Sequence, residues 1–179
     1  MKNNLKILSL FLVVIILHSC TVDKPQSYFG KTTLNVNKYA TFGAQDLLDM
    51  IESQKHTGLY AEINGEFILS DNLEAHIKTY KLVGIEKDIE AVKNLSPTED
   101  TKEMINASLA VFNFIKSKYE TDYLKITKMV NEKIDITIIN KAIREFEEKN
   151  KPILNKKIET LYNIALPYAK ANGIEVSFF

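Results

Sequence analysis

Beyond position 20 the chain holds two histidines, His56 and His76, and no further cysteine. A di-metal helical bundle needs Glu-x-x-His pairs on two helices. Here the residues three before the histidines are Ser53 and Leu73, so that metal site is not expected. A haem would need His76 with one of Met50, Met104 or Met129 as axial ligands inside the bundle. His76 sits beside Ile77 at the edge of an apolar stripe and reads as a boundary histidine. No Gly-x-Ser-x-Gly elbow, Ser-x-x-Lys pair or phosphate loop occurs. The carboxylates fall in clusters among lysines: Glu86, Asp88 and Glu90; Glu99, Asp100 and Glu103; Glu145, Glu147 and Glu148. Such clusters are solvated faces with weak ion pairs, as between Glu145 and Lys149. No catalytic residue, metal or redox cofactor is selected, and an enzyme is not expected. The remaining candidates are aromatic. Phe112, Phe114, Tyr119 and Tyr123 recur near helical spacing and are candidate ligand or partner contacts, with ordinary core packing as the alternative. Phe114 falls off the main stripe.

The elements that carry these residues are mostly helical. Val36, Ala40, Gly43, Leu47 and Ile51 predict a helix from Leu34 to about Ser53. Asp71 is placed to cap a second helix, to about Asn94, with Leu73, Ile77, Tyr80, Ile89 and Val92 on its apolar stripe. Ser96-Pro97-Thr98-Glu99 has the form of a capping box with proline at the first helical position. It opens a third stripe of Ile105, Leu109, Phe112, Ile115, Tyr119, Tyr123, Ile126 and Val130, a helix of roughly 35 residues or about 50 Å. A last helical region runs from Ile139 to Tyr168, with a kink or break expected at Pro152 and Pro167 and Gly173 as its terminator. Residues 59–70 are either a hairpin turning at Asn64-Gly65, the preferred reading, or a helix interrupted at Gly65. In the hairpin, Phe67 and Leu69 share a face with Tyr60 and Glu62. The tail IEVSFF has strand-like content. The fold class expected is mainly α: an up-down bundle of about four helices, with a small β-hairpin at 59–70 and a C-terminal strand-like tail.

The first twenty residues have a different character. Lys2 and Lys6 precede an almost unbroken apolar run of 11 residues, Ile7 to Leu17, which stops at His18. That is the pattern of a signal peptide, since a spanning helix needs about 20 apolar residues. Leu17-His18-Ser19-Cys20 resembles the lipobox of bacterial lipoproteins, an aliphatic residue, a variable one, a small one and Cys. His18 stands where a small residue is commoner. The resemblance covers the export segment alone. It implies cleavage before Cys20, thioether diacylglycerol on its sulfur and acylation of the new amino terminus. Two or more acyl chains hold a protein stably on a bilayer. Thr21, in place of an Asp retention signal, favours the outer membrane in a diderm, with the side it faces left open. The chain then divides into a signal peptide at 1–19, a lipidated tether at 20–33, and a helical domain at 34–179.

The chain carries 23 basic and 23 acidic residues, and losing Lys2 and Lys6 leaves 21 against 23. A nucleic-acid partner, which calls for a basic excess, is therefore not expected. Arg144 is the only arginine, which leaves no arginine clamp for phosphate or carboxylate. The first functional expectation is a lipid-anchored cell-envelope protein, a non-enzymatic module that binds a protein or an envelope component. A second places a small apolar ligand, such as a lipid, between the helices near Phe112, Phe114, Tyr119 and Tyr123. A third is an inhibitor or immunity-type lipoprotein.

Overall fold

A computed structural model describes residues 23–176. Residues 1–22, with the expected signal peptide and Cys20, and residues 177–179 lie outside it. Helix α1 (Pro25–Thr33) leads through a 3₁₀ segment (Leu34–Tyr39) to α2 (Ala44–His56). A hairpin follows, β1 (Leu59–Ile63) and β2 (Glu66–Ser70). Helix α3 covers residues 73–93, α4 residues 102–131, and α5 Ile136–Ala171. The chain is mainly α with a small antiparallel hairpin.

From α2 onward the helices run alternately up and down. At one end the Tyr28 hydroxyl donates to the Ser96 carbonyl, and Asp23 accepts from the Ser96 amide. Tyr168, near the end of α5, lies close enough for Tyr28 and Asp100 to act on its hydroxyl. At the other end the Asn131 carboxamide accepts from the amide of Leu73 and the side chain of Gln54. So α1 and α2 descend, α3 climbs, α4 descends and α5 climbs. The 36 residues of α5 measure the long axis at about 54 Å.

The structure corrects several expectations. The segment read as a tether is helical from Pro25, with proline at its first turn. Tyr28 and Phe29 bury their rings in the bundle, and the Thr32 and Thr33 hydroxyls donate back to the carbonyls of Tyr28 and Phe29. The helical domain therefore begins at Pro25 and not at Leu34. The helix expected from Leu34 to Ser53 divides instead, because Gly43 adopts φ 123° and ψ −143°. This conformation is essentially reserved for glycine. The third long helix starts at Lys102, five residues later than the capping box implied. The Ser96 backbone is taken by Tyr28 and Asp23, and the Thr101 hydroxyl accepts from the Thr98 amide to close the turn. Asn72 and not Asp71 caps α3, accepting from the Ala75 amide at 3.0 Å. Neither Pro152 nor Pro167 interrupts α5. Both lie on its exposed side, where the carbonyls they leave unpaired face water. Residues 174–176 form no strand. The Ile174 amide returns to the Ala169 carbonyl around Gly173 at φ 65°, and Ile174 and Val176 pack on the bundle.

The hairpin has the register its sequence predicts. Tyr60 faces Leu69 and Glu62 faces Phe67, with Asn64 and Gly65 both at positive φ in the turn.

Candidate functional site

Two π-helical turns organise the centre of the bundle, Ile77–Lys81 in α3 and Tyr119–Tyr123 in α4, and they pack on each other. A π turn holds an extra residue, so the positions after it rotate around the axis. In α3 the inward positions become Leu73, Ile77, Lys81, Ile85 and Ile89. Tyr80, expected on the apolar stripe, is turned out and is 53% exposed. Lys81 is turned in toward α2.

There its ammonium meets Asp46, only 7% exposed, at 2.6 Å. The second Asp46 oxygen, Oδ2, has no hydrogen-bond partner among the described residues. Its charge acts on the buried phenols of Tyr119 and Tyr123. A parallel unit lies beside it: Asp88 accepts from the Tyr39 hydroxyl at 2.8 Å and from the Lys38 ammonium at 2.7 Å. Burial raises the pKa of Tyr39, Tyr119 and Tyr123 far above the ordinary phenol, and the neighbouring aspartates push in the same direction. Their hydroxyls stay protonated at ordinary pH, and those of Tyr39 and Tyr123 donate to Asp88 and to the Gly43 carbonyl. The cluster braces three helices.

Clefts open on both sides of Tyr80 and Lys81. One, of about 470 Å³, lies between Phe67 of β2 and Tyr39, Thr79, Val83 and Asp88. The other, of about 560 Å³, lies between Asp46 and Met50 of α2 and Tyr60 and Leu69 of the hairpin. The hairpin forms an outer wall of each. Its β1 edge is fastened to α3: the Glu62 amide donates to the Thr79 hydroxyl at 2.8 Å, and His76 Nδ1 meets the Tyr60 carbonyl at 2.7 Å. The opposite face stays open, with Tyr60 57%, Phe67 59% and Leu69 56% exposed. Tyr80 and Val83 extend this surface onto α3.

The four aromatics singled out from the sequence do not share a cavity. Phe112 and Tyr123 are fully buried, and Tyr119 is buried but for the edge that lines the smaller of these clefts. They belong to an aromatic core in which Phe42 stacks on Tyr123 at 5.3 Å and meets Tyr119 and Phe146 edge-on. A ligand reading needs open volume beside these rings, and the smaller cleft reaches them at Tyr119. Phe114 is half-buried against the core beside α5, with the ammonium groups of Lys118 and Lys157 5.7 and 5.9 Å from its centroid. Sequence reasoning passed over Tyr60, Phe67, Leu69 and Tyr80 as a surface. The available signal was Phe67-Ile68-Leu69, three consecutive apolar residues in a strand too short to be buried on both faces.

His76 is buried at 4% exposure and stacks on Tyr80. Burial holds its pKa below the ordinary 6.5, outweighing the Tyr60 carbonyl, while Lys81 adds to the depression. Folding thus favours the neutral ring. The sign follows from linkage: the contribution is intact above pH 6.5, and is lost as pH falls from there toward the folded-state value, because the unfolded chain takes up the proton first. Melting temperature is expected to fall between about pH 7.5 and 5.5, and His76→Gln to flatten that slope. Identical slopes in the two proteins would remove His76 as the cause.

Among the described residues no group of three or more His, Cys, Asp or Glu is placed to hold a metal ion. No described helix is long and apolar enough to cross a membrane. Comparison with protein-family models, with curated proteins and with solved structures finds no match to the chain.

Proposed function

We propose that this protein is a lipid-anchored, non-enzymatic binding module of the bacterial cell envelope, and that it meets a protein partner through the hairpin face. The observation that carries the reading is the placement of that face. Tyr60, Phe67, Leu69, Tyr80 and Val83 form an exposed apolar surface in the half of the bundle away from Asp23. Contiguous exposed apolar surface on a soluble domain marks an interaction site. Cys20 precedes Asp23 by three residues, a reach of about 11 Å at most. A lipid on Cys20 would therefore hold the Tyr28–Ser96 end at the bilayer and direct the hairpin half away from it. Thr21 favours the outer membrane in a diderm host. An inhibitor or immunity-type role would use the same face.

The anchor is tested by mass spectrometry of the membrane fraction of the native host. The expected amino-terminal peptide begins at Cys20 and carries acyl mass, and Cys20→Ser abolishes that species. An unmodified thiol at position 20 would end the anchored reading. The surface is tested by placing a photo-crosslinking residue at Phe67 and, as a control, at Ile153, exposed on α5. A discrete protein adduct is expected from position 67 alone. Equal adducts from both positions would rule out a hairpin-directed partner.

A further inference from the structure

The two edges of the hairpin are unlike. In β1 the outward backbone groups belong to Tyr60 and Glu62, and α3 takes the Tyr60 carbonyl through His76 and the Glu62 amide through Thr79. In β2 the outward groups belong, by the same register, to Phe67 and Leu69. Among the described residues nothing donates to or accepts from them. Natural edge strands are usually guarded by lysine, proline, a bulge or a covering element. β2, Glu-Phe-Ile-Leu-Ser, has no lysine and no proline, and the ladder runs without a bulge from Leu59–Ser70 to Ile63–Glu66. All of its residues but Ser70 are exposed.

We propose that β2 pairs antiparallel with β2 of a second copy of this chain, joining two hairpins into one four-stranded sheet about a two-fold axis through Ile68. The strand is self-complementary in this register. Phe67 of one copy faces Leu69 of the other as a hydrogen-bonded pair, and the reciprocal pair repeats it, so every outward N–H and C=O of Phe67 and Leu69 finds a partner. Ile68 faces itself across the axis. Glu66, the only charge in the strand, faces Ser70, so no like charges are opposed. Tyr60, Leu69 and the other copy's Phe67 then lie side by side on one face. Phe67, Ile68 and Leu69, with Tyr60 beside them, offer on the order of 300 Å² per copy, below the standard size of a specific interface. The dimer is therefore weak in dilute solution and promoted where copies are crowded on one surface. This inference deepens the protein-binding reading by naming a partner, and the pairing itself does not require the lipid.

The register gives the test. Disulfides form only where Cα atoms lie within about 7 Å. In the full chain, whose only native cysteine is Cys20, Ile68→Cys is expected to yield a covalent dimer on mild oxidation in membranes, well above the wild-type background. Glu66→Cys and Ser70→Cys, each about 14 Å from its own counterpart along the strand, are expected to give none alone and a dimer when co-expressed. Phe67→Lys in the Ile68→Cys chain should lower the yield at least tenfold. Absence of the Ile68→Cys dimer overturns self-pairing and leaves the face to a different protein. Equal yields from all three single cysteines also overturn it, since they report collision and not register. Loss of acylation at Cys20 would overturn the anchor without touching the dimer.

Discussion

Alanine in place of Phe42 is expected to destabilise the protein by about 3–5 kcal/mol, lowering the melting temperature by roughly 6–20 °C for a domain of this size. Phe42 is 1% exposed and touches the rings of Tyr119, Tyr123 and Phe146. It sits where the 3₁₀ segment gives way to α2, so it is one of the contacts through which the N-terminal arm grips α4 and α5. Its carbonyl accepts from the Lys151 ammonium at 2.9 Å, which holds the joint against α5. Removing the ring leaves a cavity bounded by rigid aromatics that collapse poorly. Leu48→Ala, on the exposed side of α2, serves as the comparison and should change stability by about 0.5 kcal/mol or less. Thermal and denaturant unfolding read both. A loss at Phe42 below about 1 kcal/mol would mean the aromatic core is not the keystone of the bundle.

Gly43→Ala is expected to cost about 2–4 kcal/mol, from backbone strain together with the loss of a helix cap. At φ 123° the position strains any residue with a Cβ. The new methyl would also overlap the Glu147 carboxylate, which accepts from the Ala44 amide at 2.8 Å and caps the positive end of α2 from another helix. The Gly43 amide donates to the Tyr123 hydroxyl at 2.8 Å, so a shift there also disturbs the central network. Glu147→Ala removes the cap alone and should cost about 1 kcal/mol. In the double variant the overlap is gone and only strain and the missing cap remain. Its loss should therefore fall short of the sum of the single losses, by an amount a double-mutant cycle measures. Strict additivity would show that the Glu147 contact plays no part.

Much of the architecture was legible along the chain. The stripe from Ile105 to Ile126 lies on the buried face of α4. The Asn64-Gly65 turn and the pairing of Phe67 and Leu69 with Glu62 and Tyr60 were also readable, because turn chemistry sets a two-residue hairpin's register. The candidate site was much less legible. Phe112 and Tyr123 have the spacing of core residues and are core, while the open apolar face belongs to Tyr60, Phe67, Leu69 and Tyr80. Tyr80 fits a helical stripe on paper. The π turn that contains it rotates the helix and exchanges it for Lys81, which the chain would assign to solvent.

Helical periodicity, the hairpin and its register follow from interactions within a few residues, and the sequence alone determined them. The same is true of the expectation of a lipid on Cys20, which rests on a short contiguous motif. Contacts between distant segments decided the rest. The Asp46–Lys81 pair spans 35 positions and the Gly43–Tyr123 bond 80. Tyr28 reaches Ser96 across 68 positions and turns an apparent tether into a docked helix. Whether a strand edge is covered or bare depends on which helix arrives beside it. Here α3 hydrogen-bonds the β1 edge through His76 and Thr79, and nothing described hydrogen-bonds the outward Phe67 and Leu69 groups of β2.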